Sequence, residues 1–225
     1  MNSYCRNSER PRRHDLVFVT PNSWRAVLAT RATLAANPLI APWVENGWPL
    51  IGRRAMPADR HAVPLGLPLP PFAGKRRLSV VVEPEDIVSI ASPPALSTVW
   101  QAAPRSWQWT LDRLAALATL HGIDVRVCGS LAWRALTGLD YLTGRSDLDV
   151  LLYLNRNTNV HRLTAAVASI EAIAPMRIDG ELIRGDGAAV SWREFHRGAR
   201  ELLVKTVSGV TLIEPTLFLS GHLRS

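Results

Sequence analysis

Between Val160 and Ala174 the apolar residues fall at Val160, Leu163, Val167, Ile170 and Ala174. That is the spacing of one face of an α-helix, and Pro175 closes the run. The same period marks Leu111, Leu114, Ala115 and Ala118 within Trp107–His121, where Gly122 suits the position just past a helix end. Further helices are predicted over Ser23–Ala36 (ended before Pro38), over Leu131–Leu136 with Gly138 as its stop, and over Trp192–Val204. Short apolar runs predict strands at His14–Val19, Leu50–Ile51, Leu78–Val82, Val125–Cys128, Asp147–Leu154, Met176–Ile183 and Leu212–Ile213. Pro64–Pro71 reads as an extended, proline-rich stretch.

Proline divides the chain. Fourteen of its 16 prolines lie at or before Pro104, so the first part cannot be built mainly of long helices. The turn at Ser92-Pro93-Pro94 marks a boundary. The expected organisation is a smaller, proline-rich α/β domain over residues 1–94, binding substrate or partner, and a catalytic domain over 95–225. The expected class is α+β.

With 47% hydrophobic residues, the 225-residue chain can bury a core and is not intrinsically disordered. No apolar run reaches the roughly 18 residues of a membrane span. The opening Met1–Arg6 has no apolar core behind its charge, so no secretory signal is expected. Two cysteines, Cys5 and Cys128, exclude a disulfide scaffold and a cysteine-cluster zinc site, and a reducing cytoplasm is the expected location. The net charge of +7 comes almost wholly from arginine, since Lys75 and Lys205 are the only lysines. Such a field favours phosphate-bearing ligands or an acidic protein partner.

The chemistry concentrates between Val125 and Tyr153. A predicted strand runs into Gly129-Ser130, where a helix begins. Glycine lets backbone approach a ligand closely, and the free amides of a helix start favour an anion. Then comes Asp147-Leu148-Asp149-Val150. Side chains alternate along a strand, so Asp147 and Asp149 are expected on one face with Leu148 and Val150 on the other. Two carboxylates side by side repel unless a cation lies between them, and hard oxygen ligands suit Mg²⁺. Asp179 and Glu181 share a face of the predicted Met176–Ile183 strand, and either would complete a two-metal site if the strands pair. Asp179-Gly180 also reads as a hairpin turn. On the strand reading, Gly180 leaves room for a substrate beside it.

Gly-Ser, a helix, then Ser146-Asp147-Leu148-Asp149 at the head of a strand resembles the DNA-polymerase-β-like nucleotidyltransferases. The resemblance implies a nucleotidyltransferase-like mixed sheet with helices. The interval from Ser130 to Asp147 is longer than usual there, which implies an extra turn around Asp140–Arg145. The chain is also similar to one branch, the phosphoribosyl-dephospho-CoA transferases, which act as holo-acyl-carrier-protein synthases for malonate decarboxylase. The matching pieces include Trp48–Arg54, Val63–Pro70 with Gly74–Arg77, Gly129–Trp133, Asp179–Leu182, Ser191–Glu194 and Leu203–Thr206.

That likeness implies transfer of phosphoribosyl-dephospho-CoA from triphosphoribosyl-dephospho-CoA to a serine of the apo acyl carrier protein, with pyrophosphate released. It also implies the roles. Asp147 and Asp149 would hold two Mg²⁺ ions. Asp179, or else Glu181, would join them near the nucleophile and act as base. Gly129 and Ser130 would grip the leaving phosphates, with Ser146 and the cations Arg145, Arg134 or Lys205 nearby. Arg53, Arg54 and the Lys75–Arg77 run read either as a solubilising rim or as contacts to the CoA-derived donor or the acidic carrier. The eight tryptophans are expected mostly in the core, one of them free to stack on adenine. His14 and Asp15, as strand neighbours, would point to opposite faces and form no acid–base pair. Two alternatives use the same residues differently: a nucleotidyltransferase with ATP or another nucleotide as donor, and a non-catalytic nucleic-acid-binding module, the latter disfavoured because no stripe of interleaved basic and aromatic residues is present.

Overall fold

A computed structural model describes residues 10–54, 59, 61–206 and 209–221. Cys5 and the Met1–Arg6 segment lie outside the described residues. The chain divides into two units, Met1–Pro93 and Pro94–Ser225.

The first unit contains Leu16–Val19 (β1), Pro21–Ala29 (α1), Ala32–Ala35 (α2), Leu50–Gly52 (β2), Val63–Pro68 (β3), Arg77–Val82 (β4) and Ile87–Ala91 (β5). Its five strands form an antiparallel sheet in the order β4-β3-β2-β1-β5. Two expectations, on the first helix and on His14–Asp15, are corrected; the proline-rich stretch is extended as expected, β3 pairing along its length with β4 from Val63↔Val82 to Pro68↔Arg77. Proline lacks an amide donor but keeps its carbonyl, and Pro64 O accepts from the Arg53 amide at 3.3 Å. The helix predicted over Ser23–Ala36 is two, capped by the Thr20 hydroxyl and broken at Thr30–Arg31. His14 lies ahead of β1 with φ +76°, while Asp15 accepts from the Arg12 amide at 2.8 Å, so the two form a turn and not strand neighbours.

The second unit contains Leu96–Val99 (α3), Arg105–His121 (α4), Asp124–Cys128 (β6), Gly129–Thr137 (α5), Leu148–Tyr153 (β7), Val160–Glu171 (α6), Ile178–Ile183 (β8), Ala189–Ser191 (β9), Trp192–His196 (α7), Leu202–Lys205 (β10), Val210–Ile213 (β11) and Pro215–Ser220 (α8). Its six strands run in the order β11-β10-β9-β8-β7-β6. All neighbours are antiparallel except β7 and β8, which are parallel and joined through the crossover helix α6. The expected mixed α+β class is the one observed.

The period-two alternation of the strands decides which face is core. Val127, Val150, Leu152, Ile178, Leu182, Val190 and Val204 are buried in one cluster with Leu111 and Leu114 of α4, Leu131 of α5, Leu163 and Val167 of α6, and Trp192 of α7. The residues between them, Cys128, Asp149, Asp179, Glu181 and Lys205 among them, face the other way. The helix predicted over Trp192–Val204 is corrected. It ends at His196, Gly198 at φ +67° turns the chain, and Leu202–Lys205 returns as a strand. Of the eight tryptophans, Trp24, Trp43, Trp107, Trp133 and Trp192 are core, whereas Trp100 and Trp109 are exposed.

Candidate active site

The site is assembled by register. Asp149 of β7 lies opposite Cys128 of β6 on one side and opposite Asp179 of β8 on the other. Asp179 is in the body of a strand, so the hairpin-turn reading of Asp179-Gly180 does not hold. Asp147 precedes β7, which begins at Leu148. The segment leading to it is pinned by Tyr141, buried against Trp133 of α5 with ring centroids 6.1 Å apart. Burial pushes the Tyr141 phenol well above its ordinary range, so it stays a neutral packing group. The extra turn expected near Asp140–Arg145 is present at 144–145.

β6 delivers the start of α5 onto this row. Gly129 takes φ +65°, and a Cβ built on it would fall on the Asp149 carboxylate, 2.7 Å from Cγ. The glycine therefore serves the approach of backbone to a carboxylate as well as the turn. Ser130 follows within the first helical turn. Gly180 plays a different part from the one expected. Its missing side chain would collide with Val150, coming within 2.8 Å of Cγ2 and closer still to the backbone oxygen. The space is taken by the neighbouring strand, not left for substrate.

The remaining residues fall into distinct settings. Glu181 is buried, and its Oε1 accepts from Lys205 Nζ at 2.7 Å. Lys205 reaches it from β10, across β9. The Ser146 hydroxyl accepts from the Thr143 amide at 2.9 Å and so holds the turn before Asp147. Arg145 is exposed on that turn, and Arg134 approaches Asp140 at 3.8 Å. In the first unit Arg53 forms a two-pronged ion pair with Asp59, at 2.7 and 3.0 Å. Arg54 beside it is half-buried.

Glu171 and Arg193 were not singled out from the sequence, and they sit beside Asp179. Arg193 donates to both oxygens of Glu171 at 2.6 Å and to the Ile178 carbonyl at 2.9 Å. Glu171 Oε1 also accepts from the Ile178 amide at 2.8 Å. The Arg193 hydrogen bonds hold the Glu171 carboxyl below the ordinary glutamate range. Arg193 is pushed up, first by Glu171 and then by the charges of Asp179 and Asp147. Both aspartates therefore lie within the field of this one guanidinium. The Ser191-Trp192-Arg193-Glu194 run was visible in the sequence, but no spacing rule connects it to the last residue of α6.

Among the described residues no three His, Cys, Asp or Glu side chains form a ready-made metal cage. The donor set nonetheless fits Mg²⁺, which binds through one or two carboxylates and fills its shell with water and substrate phosphates. Asp149 and Asp179, at one level of the paired strands, would supply those two oxygens, with Asp147 one step behind.

Among the described residues no helix is long and apolar enough to cross a membrane. No solved structure matches the chain. Two family models do: the phosphoribosyl-dephospho-CoA transferase MdcG N-terminal domain over residues 12–93 and the C-terminal domain of the same family over 95–216. A phosphoribosyl-dephospho-CoA transferase of Bradyrhizobium diazoefficiens is 54% identical over 222 residues, 98% of each chain. Those of Xanthomonas campestris pv. campestris and Azotobacter vinelandii are 37% and 28% identical, covering 91% and 90% of this chain and 94% and 92% of theirs. Matched in both its parts and over nearly its whole length, the chain belongs to the phosphoribosyl-dephospho-CoA transferase family and is a transferase enzyme.

Proposed function

We propose that the protein transfers phosphoribosyl-dephospho-CoA from triphosphoribosyl-dephospho-CoA to a serine of the apo acyl carrier protein of malonate decarboxylase, in the cytoplasm, by nucleotidyltransferase-type chemistry. The register that sets Asp179 beside Asp149, at the start of a helix opened by Gly129, carries this reading. The serine oxygen forms a bond to the α-phosphorus as the bond from that phosphorus to the pyrophosphate oxygen breaks. Asp179 takes the serine proton. Leaving phosphates rest on the free amides at the start of α5 and on the Ser130 hydroxyl.

Asp147, Asp149 and Asp179 would hold Mg²⁺, which supplies positive charge to the phosphoryl and pyrophosphate oxygens. Lys205, oriented by Glu181, adds cationic character on the same face, and Arg145 does so on the turn before Asp147. Glu181 is engaged by Lys205, which favours Asp179 over Glu181 as the third carboxylate. The net charge of +7 suits an acidic carrier.

The test combines the protein with apo carrier protein, triphosphoribosyl-dephospho-CoA and Mg²⁺, and reads the intact mass of the carrier together with pyrophosphate. A mass gain equal to the prosthetic group, with one pyrophosphate per carrier, is expected. No gain, or a gain only when ATP replaces the donor, overturns the proposal.

A further inference from the structure

β8 is unevenly supported. On one side it pairs with β7 from Ile178 to Ile183, but on the other β9 covers only Glu181–Ile183. Ile178 lies beyond the reach of β9, and its amide and carbonyl face that missing partner. A strand residue left so would have two unsatisfied backbone groups next to the core. Side chains fill the gap. Glu171, the last residue of α6, accepts from the Ile178 amide at 2.8 Å, while Arg193 and Trp192 of α7 donate to its carbonyl at 2.9 and 3.1 Å. The two charged groups are locked to each other by the paired 2.6 Å bonds, and the Arg193 guanidinium stacks over the Trp192 ring, 4.6 Å from its centroid.

The residue after Ile178 is Asp179. We propose that the Glu171–Arg193 pair is a positioning device for the reaction: by replacing the absent strand at Ile178 it fixes the height and direction of Asp179 beside Asp149. The inference rests on the reading of those two aspartates as cation ligands. Arg193 is a poor phosphate ligand, because both prongs of its fork are taken by Glu171 and its side chain keeps only 19% of its surface in water. Its like-sign neighbour Arg177 differs in kind, meeting Asp179 Oδ1 at 3.6 Å in an exposed pair of the sort that contributes little. Partners that orient metal-binding carboxylates act through the ligand, and their loss typically weakens metal affinity about 10- to 100-fold.

The experiment measures Mn²⁺ binding to the full chain by electron paramagnetic resonance of the free ion, with thermal unfolding recorded for every variant. Arg193→Lys keeps the charge but loses the fork, and Glu171→Gln keeps an acceptor but loses the charge pair. Each is expected to weaken Mn²⁺ binding about 10-fold and to lower kcat while leaving KM for the donor near wild type. Arg184→Ala, which removes an ion pair with Asp186 and a bond to the Phe218 carbonyl in the same unit, is the stability control. It is expected to lower the unfolding temperature and leave Mn²⁺ affinity unchanged.

Wild-type Mn²⁺ affinity in both Arg193→Lys and Glu171→Gln overturns the positioning role, as does an equal loss in Arg184→Ala. Asp149→Asn and Asp179→Asn separate the two levels. If they bind Mn²⁺ like the wild type, the cation reading itself fails. If they lose it while the positioning variants do not, only the present inference fails.

Discussion

Gly129 lies against Asp149 so closely that any side chain at position 129 would occupy the place of the carboxylate. The contact joins the start of α5 to the carboxylate row in one step. It predicts that Gly129→Ala harms the enzyme twice. The left-handed φ of +65° costs an alanine about 1–2 kcal/mol, read as a lower unfolding temperature. Displacing Asp149 lowers the single-turnover transfer rate about 10²-fold, the scale of an ångström misplacement. An unchanged rate would show that Asp149 is not held by this contact.

Asp147→Asn and Asp149→Asn should each keep the fold and reduce transfer by about 10²-fold or more, the scale of lost charge stabilisation in a transition state. Activity of the wild type should vanish in EDTA and return with Mg²⁺. Full turnover of Asp149→Asn in EDTA would remove the carboxylates from the mechanism.

Asp179 and Glu181 should separate cleanly. Asp179→Asn is expected to slow the chemical step with donor affinity nearly intact, because the proposed leaving-group contacts are at Gly129 and Ser130. Glu181→Gln keeps an acceptor but removes the charge from a part-buried ion pair with Lys205. It should cost on the order of 1–3 kcal/mol in urea unfolding and change the rate less. Abolished transfer in Glu181→Gln with normal transfer in Asp179→Asn would reverse the roles.

Acid should loosen the anchor of β8. The Glu171 carboxyl has a folded-state pKa below its unfolded value, chiefly through the Arg193 hydrogen bonds. Its contribution is therefore full above the unfolded value of about 4.3 and is lost as pH falls through the lower folded value. The gap in unfolding temperature between wild type and Glu171→Gln should be widest above that range and close below it. A gap independent of pH would mean that the ionised pair adds nothing.

Arg53 and Arg54 should no longer behave alike. Arg53→Ala removes the clasp on Asp59 and should act mainly on stability. Arg54→Ala should raise KM for the carrier or donor and flatten its salt dependence. If Arg54→Ala is kinetically silent at low salt, Arg54 contacts neither the carrier nor the donor.

Local patterns were legible wherever one element settles them. The α6 stripe from Val160 to Ile170 and the glycine stops at Gly122 and Gly138 needed no tertiary information. Period-two spacing also grouped Asp179 with Glu181. It could not supply the parallel register that puts Asp179, and not Glu181, opposite Asp149. Trp192 and Phe195 stand three apart, and Leu202-Leu203-Val204 follows without alternation, so the whole run resembled one helix. The glycine at 198 was the overlooked signal. The part played by Gly180 is not legible in the sequence, because the collision it avoids is with another strand. Glu171 and Arg193 meet only through the packing of α6 and α7 against β8.

The crossover from β7 through α6 to β8 has a consequence for how the molecule comes together. Asp149 and Asp179 are distant along the chain and become neighbours only when α6 has closed over the sheet. Bringing two anions to adjacent positions opposes that closure, so the apolar face of α6 must drive the step. The aspartate pair and the crossover therefore form together. A divalent ion would act on that event as well as on turnover, raising the fraction of chains in which the parallel pair has zipped shut.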